Sequence, residues 1–177
     1  MICKKFLVLI LFTWVSGQVS AQCEYPNSER GEAPLWMCQG PEMDGADFLA
    51  IGDKSRMPSV SLQSRLAGKA AMAGVVESLL GQARDVLAAE LNLPFELSLP
   101  DARDWKRVAR FKGIKVLDKT MSPGRHLYVL AGVPEESQAG LLKKARGEVL
   151  AANKAQLKKA LGGEAWLSLK KGHAIED

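Results

Sequence analysis

Apolar residues recur at steps of three and four between positions 60 and 91: Leu62, Leu66, Ala70, Ala73, Val76, Leu80, Ala83, Leu87 and Leu91. That is the period of one helical face, and Gln63, Lys69, Glu77, Arg84 and Glu90 fall mostly off it. The pattern predicts one uninterrupted helix over 60–91, on the order of 45 Å long. Pro58 suits its first turn, Ser55 or Ser59 its N-cap, and Asn92 with Pro94 its end. The first half is thin, carrying Ala67, Gly68, Ala70, Ala71, Ala73 and Gly74. Glycine inside a helix costs about 1 kcal/mol relative to alanine. Small residues there therefore imply close approach to something, either a sheet of the same chain or a neighbouring subunit.

Shorter patterns flank this helix. Phe48, Leu49, Ala50, Ile51 and Gly52 read as a short buried strand, with a turn over 53–59. Residues 95–99 alternate apolar and polar, as a half-buried strand does. Pro100 and Asp101 break that strand and cap a short helix holding Trp105, Val108, Ala109 and Phe111. Strands over 114–121 and 127–131 are joined by Ser122, Pro123 and Gly124, a strong turn signal, which makes an antiparallel hairpin. Pro134, Glu135 and Glu136 open the last large helix. Leu141, Leu142, Ala145, Val149, Ala152, Leu157 and Leu161 trace its apolar side, and Gly162 with Gly163 stops it. The fold class expected is α+β: a small antiparallel sheet of about three strands covered by one long helix and a C-terminal helix.

The start of the chain changes the compartment. Lys4 and Lys5, an apolar run over 6–12 and the small-residue end Val19, Ser20, Ala21 make residues 1–21 a secretory signal peptide. Cleavage after Ala21 removes Lys4 and Lys5, which lowers the formal charge from +4 to +2. A mild positive excess on an exported chain argues against nucleic acid as a partner. No second apolar run is long enough to cross a bilayer, so no transmembrane segment is expected after cleavage. Cys3 leaves with the leader. Cys23 and Cys38 remain as an even pair in an oxidising compartment, which predicts a disulfide. Closing a loop of about fifteen residues would contribute roughly 3 kcal/mol against the unfolded state. The organisation expected is a signal peptide over 1–21, a disulfide-tied irregular arm over 22–46, an α/β domain over 47–162 and a tail over 163–177. Trp36 is expected on the sheet edge or the start of the long helix, and Trp166 is expected to dock the tail, which frays beyond Gly172.

Candidate chemistry is sparse. His126 and His173 stand in no metal-ligand spacing, and His126 reads as a solvated turn residue. Ser59, His126 and Asp53 can be assembled on paper into a nucleophile, base and acid, but no Gly-x-Ser-x-Gly elbow supports them. Asp44, Asp47 and Asp53 do not follow the spacing of a calcium loop and read as turn and cap residues. No glycine cluster follows the phosphate-loop pattern. The expectation is therefore a chain that is not an enzyme, with no catalytic residue, cofactor or metal. Two candidate interaction faces remain. One is the thin patch of Ala67, Ala71 and Gly74, which could seat a neighbouring helix. The other is the basic face of the last helix, Lys143, Lys144, Lys158 and Lys159, which suits an anionic envelope polymer or an acidic partner and would bind less as salt rises.

Several short signals also line up in order. Pro34, Leu35 and Trp36 are followed by Ala50, Ile51 and Gly52, then by an Ala- and Arg-containing helix, then by Gly113, Ile114, Lys115 and Val116, and by Tyr128, Val129 and Leu130. Over residues 34–133 this order resembles the Lpp-twenty family of small bacterial envelope lipoproteins, the FlgP-like proteins. The chain departs from that family at the lipobox, where Gln22 rather than a small residue precedes Cys23. The resemblance implies an LPP-like domain, a helix laid across a small antiparallel sheet, and a non-enzymatic role in the cell envelope, in some members as a building block of large ringed assemblies. The function expected is thus a periplasmic or secreted envelope protein, outer-membrane-associated in some settings, with a structural role reached through self-association or other envelope proteins. The alternative is a periplasmic binding module for a cell-wall component or small ligand, using a cleft between the long helix and the hairpin.

Overall fold

The structure, a computed structural model, describes residues 23–26 and 29–173. The expected signal peptide lies outside the described residues. The elements in order are strands β1 (Glu24–Tyr25) and β2 (Glu29–Glu32), helix α1 (Leu35–Cys38), strand β3 (Ala46–Lys54), helices α2 (Val60–Leu91) and α3 (Trp105–Val108), strands β4 (Lys115–Met121) and β5 (Leu127–Pro134), and helices α4 (Glu135–Ala152), α5 (Lys154–Leu161) and α6 (Gly163–His173). The α+β class expected from the pattern is what the molecule has. The main sheet is antiparallel with order β3-β5-β4, and β1 and β2 form a separate two-stranded ribbon.

Helix α2 spans the predicted residues. Ser59 Oγ accepts from Leu62 N–H at 3.2 Å, and Asn92 turns left-handed at φ 44° to end it. Pro58 lies one position ahead of the cap. The buried face differs from the expected one in the first half. Gln63, Ala67, Ala71 and Val75 face inward, Leu62 and Leu66 are half-buried, and Ala70 is exposed. The reason is distance. A Cβ placed on Gly52 of β3 would lie 2.1 Å from Ala71 N and 2.3 Å from Ala67 O. Only small residues allow such contact, so the sheet-facing side of α2 is the small side and the leucines flank it.

Strand β5 is buried along its whole length, because both faces are covered. Leu127, Val129, Ala131 and Val133 join the core under α2. Tyr128 and Leu130 join a second core made by the N-terminal arm: Cys23, Tyr25, Ala33 and Trp36. The arm is tied by the Cys23–Cys38 disulfide, Cα–Cα 5.7 Å. Trp36 reaches the sheet edge, its Nε1 donating to Asp118 Oδ2 at 2.9 Å, and Tyr25 Oη bonds Thr120 Oγ1 at 2.7 Å. The arm is less irregular than expected, since it contains the β1–β2 ribbon and the single turn α1.

Three expectations after residue 91 are corrected. Residues 95–99 are not a strand. Leu97 is buried, and the backbone beside it pairs with a side chain: Ser98 N–H donates to Asn153 Oδ1 at 2.9 Å and Ser98 O accepts from Asn153 Nδ2 at 2.9 Å. The short helix α3 starts later than expected, and its N-cap is Asp104, which accepts from Lys106 N–H. Asp101 instead holds the preceding turn through Arg103 N–H at 2.8 Å. The last large helix breaks at Asn153 into α4 and α5, because the buried Asn153 amide is committed to Ser98 and to Val149 O. Past Gly162 the chain turns into helix α6, which packs on α5 and α4 and buries Trp166.

Candidate functional site

The first turn of β3 carries the most unusual backbone of the main sheet. Asp47 pairs with Val133 and Ala50 with Ala131, so one extra residue is accommodated between them. A bulge of this kind turns successive side chains toward the same side. Asp47 meets α4, where Gln138 Nε2 donates to its Oδ2 at 2.6 Å, and Phe48 packs against the core under α2. Leu49 then crosses to the arm side. Gly132 on β5 makes room for that crossing, since a Cβ there would stand 2.5 Å from Leu49 Cδ2. Phe48 itself sits at φ 53°. A bulky residue in the left-handed region is strained by about 1–3 kcal/mol, and such strain concentrates at ligand sites.

A cleft opens beside this bulge. Asp47, Phe48, Gln82 of α2, and Gln138 and Leu142 of α4 line it, and its volume is about 400 Å³. It is open to solvent and mixes a carboxylate, two amides and two apolar side chains. In the first turn of α4, Glu136 is held below its ordinary carboxyl value by its own backbone N–H at the helix start and by Lys115, whose Nζ stands 3.2 Å away. None of the cleft residues carries a signal in the sequence that marks it as a ligand contact. Asp47, expected as a turn or cap residue, lies in a strand. Between α2 and the β4–β5 hairpin, the place expected for a ligand cleft, Gln63 bridges the turn end. Its buried Nε2 donates to Lys54 O at 3.0 Å and Arg125 O at 2.8 Å.

The structure brings together two of the three residues of the paper triad. His126 Nε2 and Asp53 Oδ2 are 2.6 Å apart. Ser59 is elsewhere engaged as the α2 cap. His126 is not the solvated turn residue expected: its side chain is 18% exposed and its ring stacks on Tyr128 with centroids 4.7 Å apart. Tyr128 in turn stacks on Tyr25 of the arm. The pair thus joins the end of β3 to the hairpin and to the aromatic core beneath the arm. Asp53, like Asp47, is a strand residue rather than a turn residue. Among the described residues no group of three or more His, Cys, Asp or Glu is placed to hold a metal ion.

The two expected interaction faces fare differently. Ala67 and Ala71 are fully buried against β3, and Gly74 lies over Ala50, so this patch is used within the chain. Lys143 and Lys144 are exposed on α4, and Lys158 and Lys159 are exposed on α5. The break at Asn153 places these two pairs on separate helices rather than along one. Among the described residues no helix is long and apolar enough to cross a membrane. In comparisons with known proteins, no family model matches the chain and no curated protein matches it.

Proposed function

We propose that this chain is an exported bacterial envelope protein with a structural or assembly role in an outer-membrane-associated or surface machine. The observation that carries the reading is the β4 edge of the sheet, which pairs with no further strand among the described residues. Strand β4 pairs with β5 on one side, and Val116 and Met121 on it are 46% and 40% exposed. A strand edge of this kind offers a row of backbone donors and acceptors to another chain. Lys119 on the same strand deters indiscriminate pairing, while Asp118 is held by Trp36 and Lys115 by Glu136 within the chain. The Cys23–Cys38 bond supports an oxidising compartment, as do the leader-like first residues. The resemblance to envelope lipoproteins points the same way.

The test is light scattering on the mature, disulfide-bonded chain across a concentration series, alone and with envelope extract. The expected outcome is a concentration-dependent oligomer or a defined complex. Val116→Lys should weaken that association by about tenfold or more, roughly 1.4 kcal/mol, while leaving the unfolding midpoint unchanged, because the position is exposed. A strict monomer that captures no envelope protein overturns the assembly role. Recovery of the mature chain from the cytosol with both thiols free overturns the compartment. The second reading, a binding module, is favoured by the polar cleft at the β3 bulge.

A further inference from the structure

We infer that the cleft at the β3 bulge binds a saccharide unit, with Asp47, Gln82 and Gln138 on its hydroxyl or acetamido groups and Phe48 with Leu142 against its C–H face. This site goes beyond the assembly role, which does not require it.

The chemistry of the lining selects the ligand class. A volume of about 400 Å³ lies within the range of small-ligand sites. Ionised carboxylates only accept, whereas side-chain amides both donate and accept. Asp47, Gln82 and Gln138 together therefore suit a ligand whose edge carries donors and acceptors side by side. Sugar rings have such an edge, together with an apolar face that Phe48 and Leu142 can cover. An anionic ligand is disfavoured, because the Asp47 carboxylate faces the cleft without a cationic side chain among the lining residues. A simple ammonium ligand would find a single carboxylate, one oxygen of which already accepts from Gln138.

The backbone supports the assignment. The Gln138 bond fixes Asp47 before any ligand arrives, and the bulge aims Asp47 and Phe48 to the same side. Groups held in place in advance lose less freedom on binding. The strained, left-handed residue of β3, Phe48, is itself one of the five that line the cleft.

The experiment is a titration of the isotope-labelled mature chain with the disaccharide of N-acetylglucosamine, followed by NMR. Saturable shifts are expected at the side-chain amides of Gln82 and Gln138 and at the backbone amide of Phe48. A dissociation constant of about 1 mM is expected for a cleft this open. Gln82→Ala, on an exposed position of α2, should weaken binding about tenfold without changing the fold. Asp47→Asn tests the carboxylate in the same way. Absence of saturable shifts, shifts that map to another surface, or affinity unchanged in Gln82→Ala each overturns the assignment. Oligomeric state is read separately by light scattering, so failure here is distinguishable from failure of the assembly role.

Discussion

Asn153 shows how much one buried side chain can organise. It is 2% exposed, its Oδ1 accepts from Ser98 N–H and its Nδ2 donates to Ser98 O and Val149 O. Its side chain holds the segment after α2 without a neighbouring strand, while its backbone N–H ends α4 and its backbone O accepts from Leu157 N–H of α5. Replacing it with alanine leaves Ser98 N–H and Ser98 O without their side-chain partner, while Val149 O keeps the backbone N–H of residue 153. Unmade buried bonds cost about 1–3 kcal/mol each before relaxation and water entry. Asn153→Ala should therefore destabilise the chain by about 2 kcal/mol, read as a lower urea midpoint with an unchanged slope. Gln63 does a similar job at the other end, joining the end of β3 to the hairpin turn. In the sequence both residues are polar letters within helical runs. Nothing in the periodicity distinguishes a buried amide from a solvated one, because the partner carbonyls come from residues far along the chain.

At the scale of elements, the contact between α2 and β3 sets the architecture. The helix backbone lies so close to the strand that a methyl group at Gly52 would meet main-chain atoms of Ala67, Ala70 and Ala71. Backbone cannot move aside as a flexible side chain can. Gly52→Ala should cost about 3 kcal/mol or more, the upper end for overpacking. At Gly81, later in the same helix, a methyl group would find no atom within 4 Å outside its own helix. There Gly81→Ala should stabilise by about 1 kcal/mol through helix propensity alone. Opposite signs in thermal unfolding at the two positions would show that proximity, not glycine content, governs this helix. The length of α2, a cap at Ser55 or Ser59 and the thinness of its first half are legible in the sequence. Its buried face is legible in the second half, where Val76, Leu80, Ala83 and Leu87 are buried as expected, but not in the first, because Leu62 and Leu66 suggest a stripe that the sheet is too close to accept.

For the whole molecule, the sheet is covered on one face by α2 and on the other by a disulfide-tied arm. The arm contributes Tyr25 and Trp36 to a core that would otherwise leave Tyr128 and Leu130 exposed. Removing the bridge through a Cys23→Ser, Cys38→Ser double substitution should cost about 3 kcal/mol by loop-entropy reasoning. Amide exchange should then quicken in the arm and in the Asp53–His126 corner before it quickens in α2. Uniform quickening throughout the chain would show instead that arm and domain unfold as one unit. The arm also explains why β5 is uniformly apolar. A strand buried on both faces loses the alternation that usually identifies it.

Local pattern along the chain was enough for the α+β class, the extent of α2, the hairpin around Pro123 and Gly124, and the pairing of Cys23 with Cys38. These rest on local period, turn chemistry and a cysteine count that leaves one natural pair once Cys3 is set aside with the leader-like segment. The bulge at Phe48, the break at Asn153, the meeting of His126 with Asp53 and the cleft lined by Asp47, Gln82 and Gln138 emerge from packing alone. Each of these joins residues from separate elements. Their geometry depends on how closely helix, sheet and arm pack, and no short window of sequence carries that distance.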